Sequence, residues 1–125
     1  MTEFVTHDLA GTVVIEASGR LDALASPQLE AALRQVAEAG RARLVVDFGR
    51  VSYISSSCLR MLLIGVRRAR EQGGDLKLCC LSPRVHQVFA LAGFDQVFDL
   101  CKSRDEALVA FDRSPGGPGC PGGSA

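Results

Sequence analysis

The chain has 125 residues with 47% apolar side chains, a size and composition that suit one packed domain of about 100 to 150 residues. Fourteen basic and fourteen acidic residues give a formal net charge of +0 and are spread along the chain. That balance excludes a strong attraction to nucleic acid or an anionic membrane. No apolar run reaches the ~18 residues of a membrane span, and MTEFVTHDLAG has no signal-peptide pattern, so direct membrane insertion is not expected and the expected location is the cytoplasm.

In chain order, EFVTH (3–7) and TVVIEAS (12–18) read as strands joined at Ala10-Gly11 in a hairpin. Gly19 then opens a loop, GRLDALAS, and Ser26-Pro27 starts a helix with a capping hydroxyl and a proline at its first position. Leu29, Ala32, Leu33, Val36 and Ala37 mark its apolar face, and Gly40 stops it. LVVDFG (44–49) is a short apolar run and reads as an interior strand. From the serines at 55–57 a helix runs to Gln72, with Leu59, Leu62, Leu63, Val66 and Ala69 on one face. Arginines crowd its end, where cations suit the helix dipole, before Gly73-Gly74 terminates it.

LKLCCL (76–81) follows as a strand and SPRVHQVFALAG (82–93) as a helix capped by Ser82, with Val85, Val88, Phe89 and Ala92 facing the core. QVFDLC (96–101) reads as a strand and SRDEALVAF (103–111) as a last helix, in which Ser103 and Glu106 fit a capping box. The residue order predicts an α/β domain over 1–112. Its sheet is mixed and mostly parallel, with an N-terminal antiparallel hairpin and about four helices. The Gly/Pro-rich remainder, 113–125, is expected to be a disordered tail.

Enzymatic machinery is missing from the pattern. His7 falls in the first strand and His86 on the polar side of a helix, and no G-x-S-x-G elbow, P-loop or G-x-G-x-x-G is present. No catalytic residues and no cofactor are expected. Five cysteines without CxxC or Cys/His spacing fit a reducing compartment and suggest no metal, and Cys79, Cys80 and Cys101 read as small buried hydrophobes.

YISSSCLRMLL (53–63) carries the one unusual local feature. A single hydroxyl suffices to cap a helix, worth about 1 kcal/mol, so three serines leave at least one free at an N-terminus that favours anions. Capping alone explains the stretch; a phosphorylated serine there would add nearly two negative charges to the surface.

LVVDFGRVSYISSSCLRMLL resembles the signature of STAS domains, the anti-sigma factor antagonists, roughly V-x-x-D-x-x-x-V-x-[FY]-[IM]-D-S-[ST]-G-L. The likeness extends through SPRVHQVFALAGF and back to GRLDA, about residues 3 to 111. It implies a non-enzymatic protein that binds an anti-sigma factor with serine kinase activity, is released when that kinase phosphorylates it, and is reset by a PP2C-type phosphatase. The resemblance puts the acceptor on Ser56, with Ser57 as second choice, and the acidic loop residue near it on Asp22. Ser55, Ser57, Cys58 and Arg60 complete the expected partner-binding surface with Asp22 and Ser56. Ser55 replaces the motif's aspartate and Cys58 its glycine. Serine preserves the cap but removes a charge beside the acceptor. Cys58 either packs or, at a helix start where a thiol's pKa falls, senses oxidation; packing is the simpler reading. The alternative function is a STAS module that is not phosphorylated and serves as a scaffold or as a regulatory subunit docked on a membrane transporter.

Overall fold

The computed structural model describes residues 2–9 and 11–113. Its elements are β1 (Glu3–Leu9), β2 (Thr12–Leu21), α1 (Ser26–Glu38), β3 (Arg43–Ile54), α2 (Ser56–Glu71), β4 (Asp75–Cys79), α3 (Pro83–Leu91), a 3-10 turn (Phe94–Gln96), β5 (Asp99–Cys101) and α4 (Arg104–Arg113). The five strands lie in sequence order, β1 antiparallel to β2 and every later neighbour parallel. The mixed sheet with its hairpin and four helices is the architecture expected from the pattern. Because parallel crossovers are right-handed and the strand order never reverses, α1, α2 and α3 fall on one face.

Strand alternation divides the core between the two faces. Ile15, Val46, Phe48, Leu76 and Leu78 point towards α1–α3 and meet Leu29, Leu62, Val66 and Phe89. Phe89 sits edge-on to both Phe48 and Phe98, at 6.0 and 5.7 Å between ring centroids. The opposite face is smaller: Val14, Val45, Cys79 and Cys101 pack under Ala107 and Phe111 of α4. Alongside that patch runs a polar chain in which His7 meets Glu16 at 3.0 Å and Arg104 bridges Glu16 to Asp47.

Several sequence expectations need correction. Gly19 does not end β2; it adopts φ 92° beside a register shift, and the strand continues to Leu21. Likewise β3 does not stop at Gly49 but runs to Ile54, paired with β2 well beyond the point where β4 ends. Ser26 is not a cap: the residue before the helix is Ala25, which makes no side-chain cap bond. The Asp22 carboxylate organises this turn instead, accepting from the N–H groups of Leu24 and Ala25 at 3.1 and 3.2 Å. The expected strand 96–101 is reduced to Asp99–Cys101, since Gly93 at φ 79° leads into a 3-10 turn. Ala92 is exposed rather than core, and Cys80 is only half-buried, with φ 66°. Helix α4 takes in Arg113, the first residue of the expected tail; 114–125 lies outside the described residues.

The capping serines of α2, α3 and α4 are as expected. Ser82 accepts from Val85 N–H at 3.2 Å, and Ser103 from Glu106 N–H at 3.0 Å; the return bond of the expected capping box is shifted by one residue, the Glu106 carboxylate accepting from Lys102 N–H at 2.7 Å rather than from Ser103 N–H.

Candidate functional site

Helix α2 starts where the overhanging end of β3 turns back towards the sheet. Ser55 has extended φ/ψ of −90° and 164°, the backbone of an N-cap, and its Oγ accepts from Cys58 N–H at 3.3 Å. Its carbonyl receives the first helical bond, from Leu59 N–H at 3.0 Å, and its own N–H donates to the Leu21 carbonyl at 2.7 Å. The Ser57 hydroxyl lies 3.0 Å from Ser55 Oγ, so these two hydroxyls satisfy each other. Ser56, at the first helical position, is exposed, and among the described residues its hydroxyl has no hydrogen-bond partner.

Cys58 belongs to the interior. It is fully buried at 0% exposure and donates its S–H to the Asp22 carbonyl at 3.4 Å. Burial pushes this thiol up from its ordinary value, against the smaller opposing effect of the Ser55 hydrogen bond. Two expectations are thereby overturned: Cys58 is neither a surface contact nor a helix-start thiolate poised for oxidation. The side chain holds the 21–22 turn against α2, and the packing reading stands.

Asp22 is half-buried and linked to the serine turn through its own carbonyl, while its carboxylate shapes the loop that carries Leu24. Arg60 is exposed one turn after Ser56. Other neighbours of the serine turn carry no sequence signal. Leu24 is 85% exposed, an unusual state for a leucine on a loop fixed by hydrogen bonds. Tyr53 is also exposed and holds the Arg20 guanidinium 4.4 Å above its ring. Only the β2–β3 register, which sets Arg20 opposite Tyr53, reveals that pair.

No carboxylate lies in the first turn of α2 itself, and the positive end of its dipole suits an added anion. Among the described residues no histidine, lysine or carboxylate side chain hydrogen-bonds to the three serines; His7 is engaged with Glu16 on β2, and His86 is exposed on α3. The arrangement therefore leaves one hydroxyl, that of Ser56, exposed at a helix N-terminus, with no base hydrogen-bonded to it among the described residues.

The family profile described as Mlab, STAS domain matches residues 6–102. The chain belongs to the STAS domain family. BtrV of Bordetella bronchiseptica, named for anti-sigma factor antagonism, is 38% identical to this STAS domain over 101 residues, 81% of this chain and 87% of its own length. The anti-sigma-B factor antagonist of Bacillus subtilis is 31% identical over 88 residues, covering 70% of this chain and 80% of the relative. A crystal structure of an anti-sigma factor antagonist from Mycobacterium paratuberculosis superposes with a TM-score of 0.81 at 26% identity, covering 88% of this STAS domain and 93% of that chain.

Proposed function

We propose that this STAS domain is an anti-sigma factor antagonist acting by partner switching in the cytoplasm. It binds an anti-sigma factor that is also a serine kinase, through the surface formed by Asp22, Ser55, Ser56, Ser57 and Arg60, and so frees a sigma factor for transcription. The kinase transfers the γ-phosphoryl group of ATP to Ser56, ADP leaves, and the phosphorylated protein is released. A PP2C-type phosphatase hydrolyses the phosphoserine and restores binding. The observation that carries this reading is the division of labour among the serines: Ser55 and Ser57 are committed to each other and to the cap, whereas Ser56 is exposed and unbonded.

The magnitudes support release without unfolding. Phosphate brings about 1.5 to 2 negative charges, and the helix end stabilises an anion by only about 0.3 to 2 kcal/mol. Repulsion between two unit charges at about 4 Å runs from ~1 kcal/mol in water to ~4 kcal/mol near a protein surface. A partner carboxylate docked over phosphorylated Ser56 would thus lower affinity by about fivefold to several hundredfold per unit of phosphate charge. The test incubates the protein with ATP and each purified anti-sigma factor kinase of its source organism, and maps phosphate by mass spectrometry. Phosphate on Ser56 is expected, and no modification of Ser55–Ser57 by any of them would refute the model. By titration calorimetry, Ser56→Ala should bind the kinase as wild type does and Ser56→Asp more weakly; equal affinities would rule out charge repulsion as the release mechanism.

A further inference from the structure

On the sheet face opposite α2, three side chains with metal-binding atoms converge where the carboxyl end of β4 lies beside the middle of β3. One donor atom from each of Asp47, Cys79 and Cys80 lies within 4.8 Å of the other two. Consecutive strand residues ordinarily point to opposite faces, so Cys79 and Cys80 should be apart. They are not, because Cys80 adopts φ 66°, alone among the described non-glycine residues in that region. The left-handed turn brings its thiol back to within 4.8 Å of both the Cys79 sulfur and an Asp47 carboxylate oxygen. Such a conformation is costly for a residue with a Cβ, and cysteine is not among the types that adopt it readily.

Two further features give the cluster the form of a site. Gly49 lies against it: a Cβ there would sit 3.1 Å from Asp47 Oδ1 and 3.7 Å from Cys80 Cβ. The φ of Gly49 is not positive, so its backbone does not demand glycine; the missing side chain leaves the Asp47–Cys80 side uncovered. The Asp47 carboxylate is held in place from behind. Its Oδ1 accepts from Gly49 N–H at 2.8 Å, and its Oδ2 accepts from Nε and Nη2 of Arg104 at 3.1 and 2.9 Å. Three hydrogen bonds occupy three of about four lone-pair directions and leave one free.

From this geometry we propose that Cys79, Cys80 and Asp47 bind a thiophilic divalent cation of the size of zinc. Bonds of about 2.3 Å to sulfur at tetrahedral angles place two ligand sulfurs roughly 3.8 Å apart, so the three donors need to draw in by at most about 1 Å. Binding would convert two thiols to thiolates: the hydrated cation would gain two S–M bonds and one O–M bond to Asp47, its displaced waters and two protons would leave to solvent, and one retained water would complete the fourth position. Two thiolates and one carboxylate leave the occupied site with one negative charge, which Arg104 offsets from the second layer, where partners of ligating carboxylates normally sit. Cys101, although paired with Cys79 across β4 and β5, is not one of the converging donors.

The test uses the full chain, reduced, with Cys120→Ser as the background so that the remaining thiols are those of the folded domain. Titration with Co(II) should give a thiolate-to-metal charge-transfer band saturating at one equivalent, release two protons per metal to an indicator, and be displaced by Zn(II). Cys80→Ser should abolish the band while the circular dichroism stays native. Asp47→Asn should keep a two-thiolate band and weaken Zn(II) binding by at least about tenfold. Absence of a charge-transfer band in the folded protein, or a band that survives Cys80→Ser, overturns the proposal. Should Cys80→Ser fail to fold, Asp47→Asn decides: an unchanged Zn(II) affinity refutes the site as described.

Discussion

Replacing Ser55 by alanine removes the only side-chain acceptor at the start of α2 and leaves the Ser57 hydroxyl without its neighbour at 3.0 Å. The cap bond, at 3.3 Å, is longer than the usual ~2.9 to 3.0 Å, which places its worth in the lower half of the ~0.5 to 2 kcal/mol measured for caps. Ser57 is half-buried, so water replaces most of what it loses. We therefore expect Ser55→Ala to cost about 1 kcal/mol, a fall in Tm of about 3 to 5 °C for a domain of this size. Ser55→Asp should reverse the sign. Its carboxylate caps the same N–H and adds about 0.3 to 1 kcal/mol from the dipole, since the first turn holds no other acid. A carboxyl favoured in its charged form contributes stability above its unfolded pKa of about 3.9, and that advantage over wild type disappears as pH falls towards 3. Urea denaturation at pH 7 and pH 3 reads all three proteins with a common m-value. An unchanged midpoint for Ser55→Ala, or Ser55→Asp less stable than Ser55→Ala at pH 7, would refute the cap as described. Combining Ser55→Ala with Ser57→Ala should cost less than the sum of the singles, because both remove the same hydroxyl pair.

Phe89→Ala should destabilise by about 3 to 5 kcal/mol in urea titration, because it empties a fully buried position and removes two edge-to-face contacts. Gly74→Ala would place a Cβ 2.0 Å from the Ala42 carbonyl oxygen, forcing apart the chain where β4 joins β3; a loss of about 2 to 3 kcal/mol is expected by the same assay. The Cys58 thiol, raised by burial and enclosed, should react with iodoacetamide at pH 7.5 at least about tenfold more slowly in the native protein than in urea, read by peptide mass spectrometry. Leu24→Glu should leave the midpoint of unfolding within about 0.5 kcal/mol of wild type, since the side chain is exposed, and should weaken binding of the anti-sigma factor kinase by titration calorimetry.

Local chemistry in the sequence located the helices and the serine that caps α2, because capping residues, Pro at helix starts and apolar spacing act within a few positions. Strand ends were harder to read. Gly19 and Gly49 look like stops, yet one sits at an irregularity of β2 and the other within β3, and the pairing of the two strands carries both past their glycines. Ser26-Pro27 has the form of a helix start, but the carboxylate of Asp22 had already ordered the turn, leaving Ser26 inside the helix. At the site, the exposure of Ser56 and the burial of Cys58 depend on which face of α2 meets the 21–22 turn, a contact 36 residues distant along the chain. The meeting of Asp47 with Cys79 and Cys80 depends on strand neighbours and on one left-handed residue, and no spacing announces it.

The serine turn is fastened on two sides, by Ser55 N–H to the Leu21 carbonyl and by the Cys58 thiol to the Asp22 carbonyl. A group added at Ser56 would therefore meet a backbone with little room to yield, and would change the surface potential rather than the shape. Under the proposed function, a partner would sense that change directly, without waiting for a conformational equilibrium in the small domain. The same fastening separates two sets of residues: Leu21, Ser55 and Cys58 keep the turn closed, while Leu24, Tyr53 and Arg60 are exposed and form no part of that closure. A duplicated copy of this domain could acquire a new partner by exchanging three outward-facing side chains, with its core untouched.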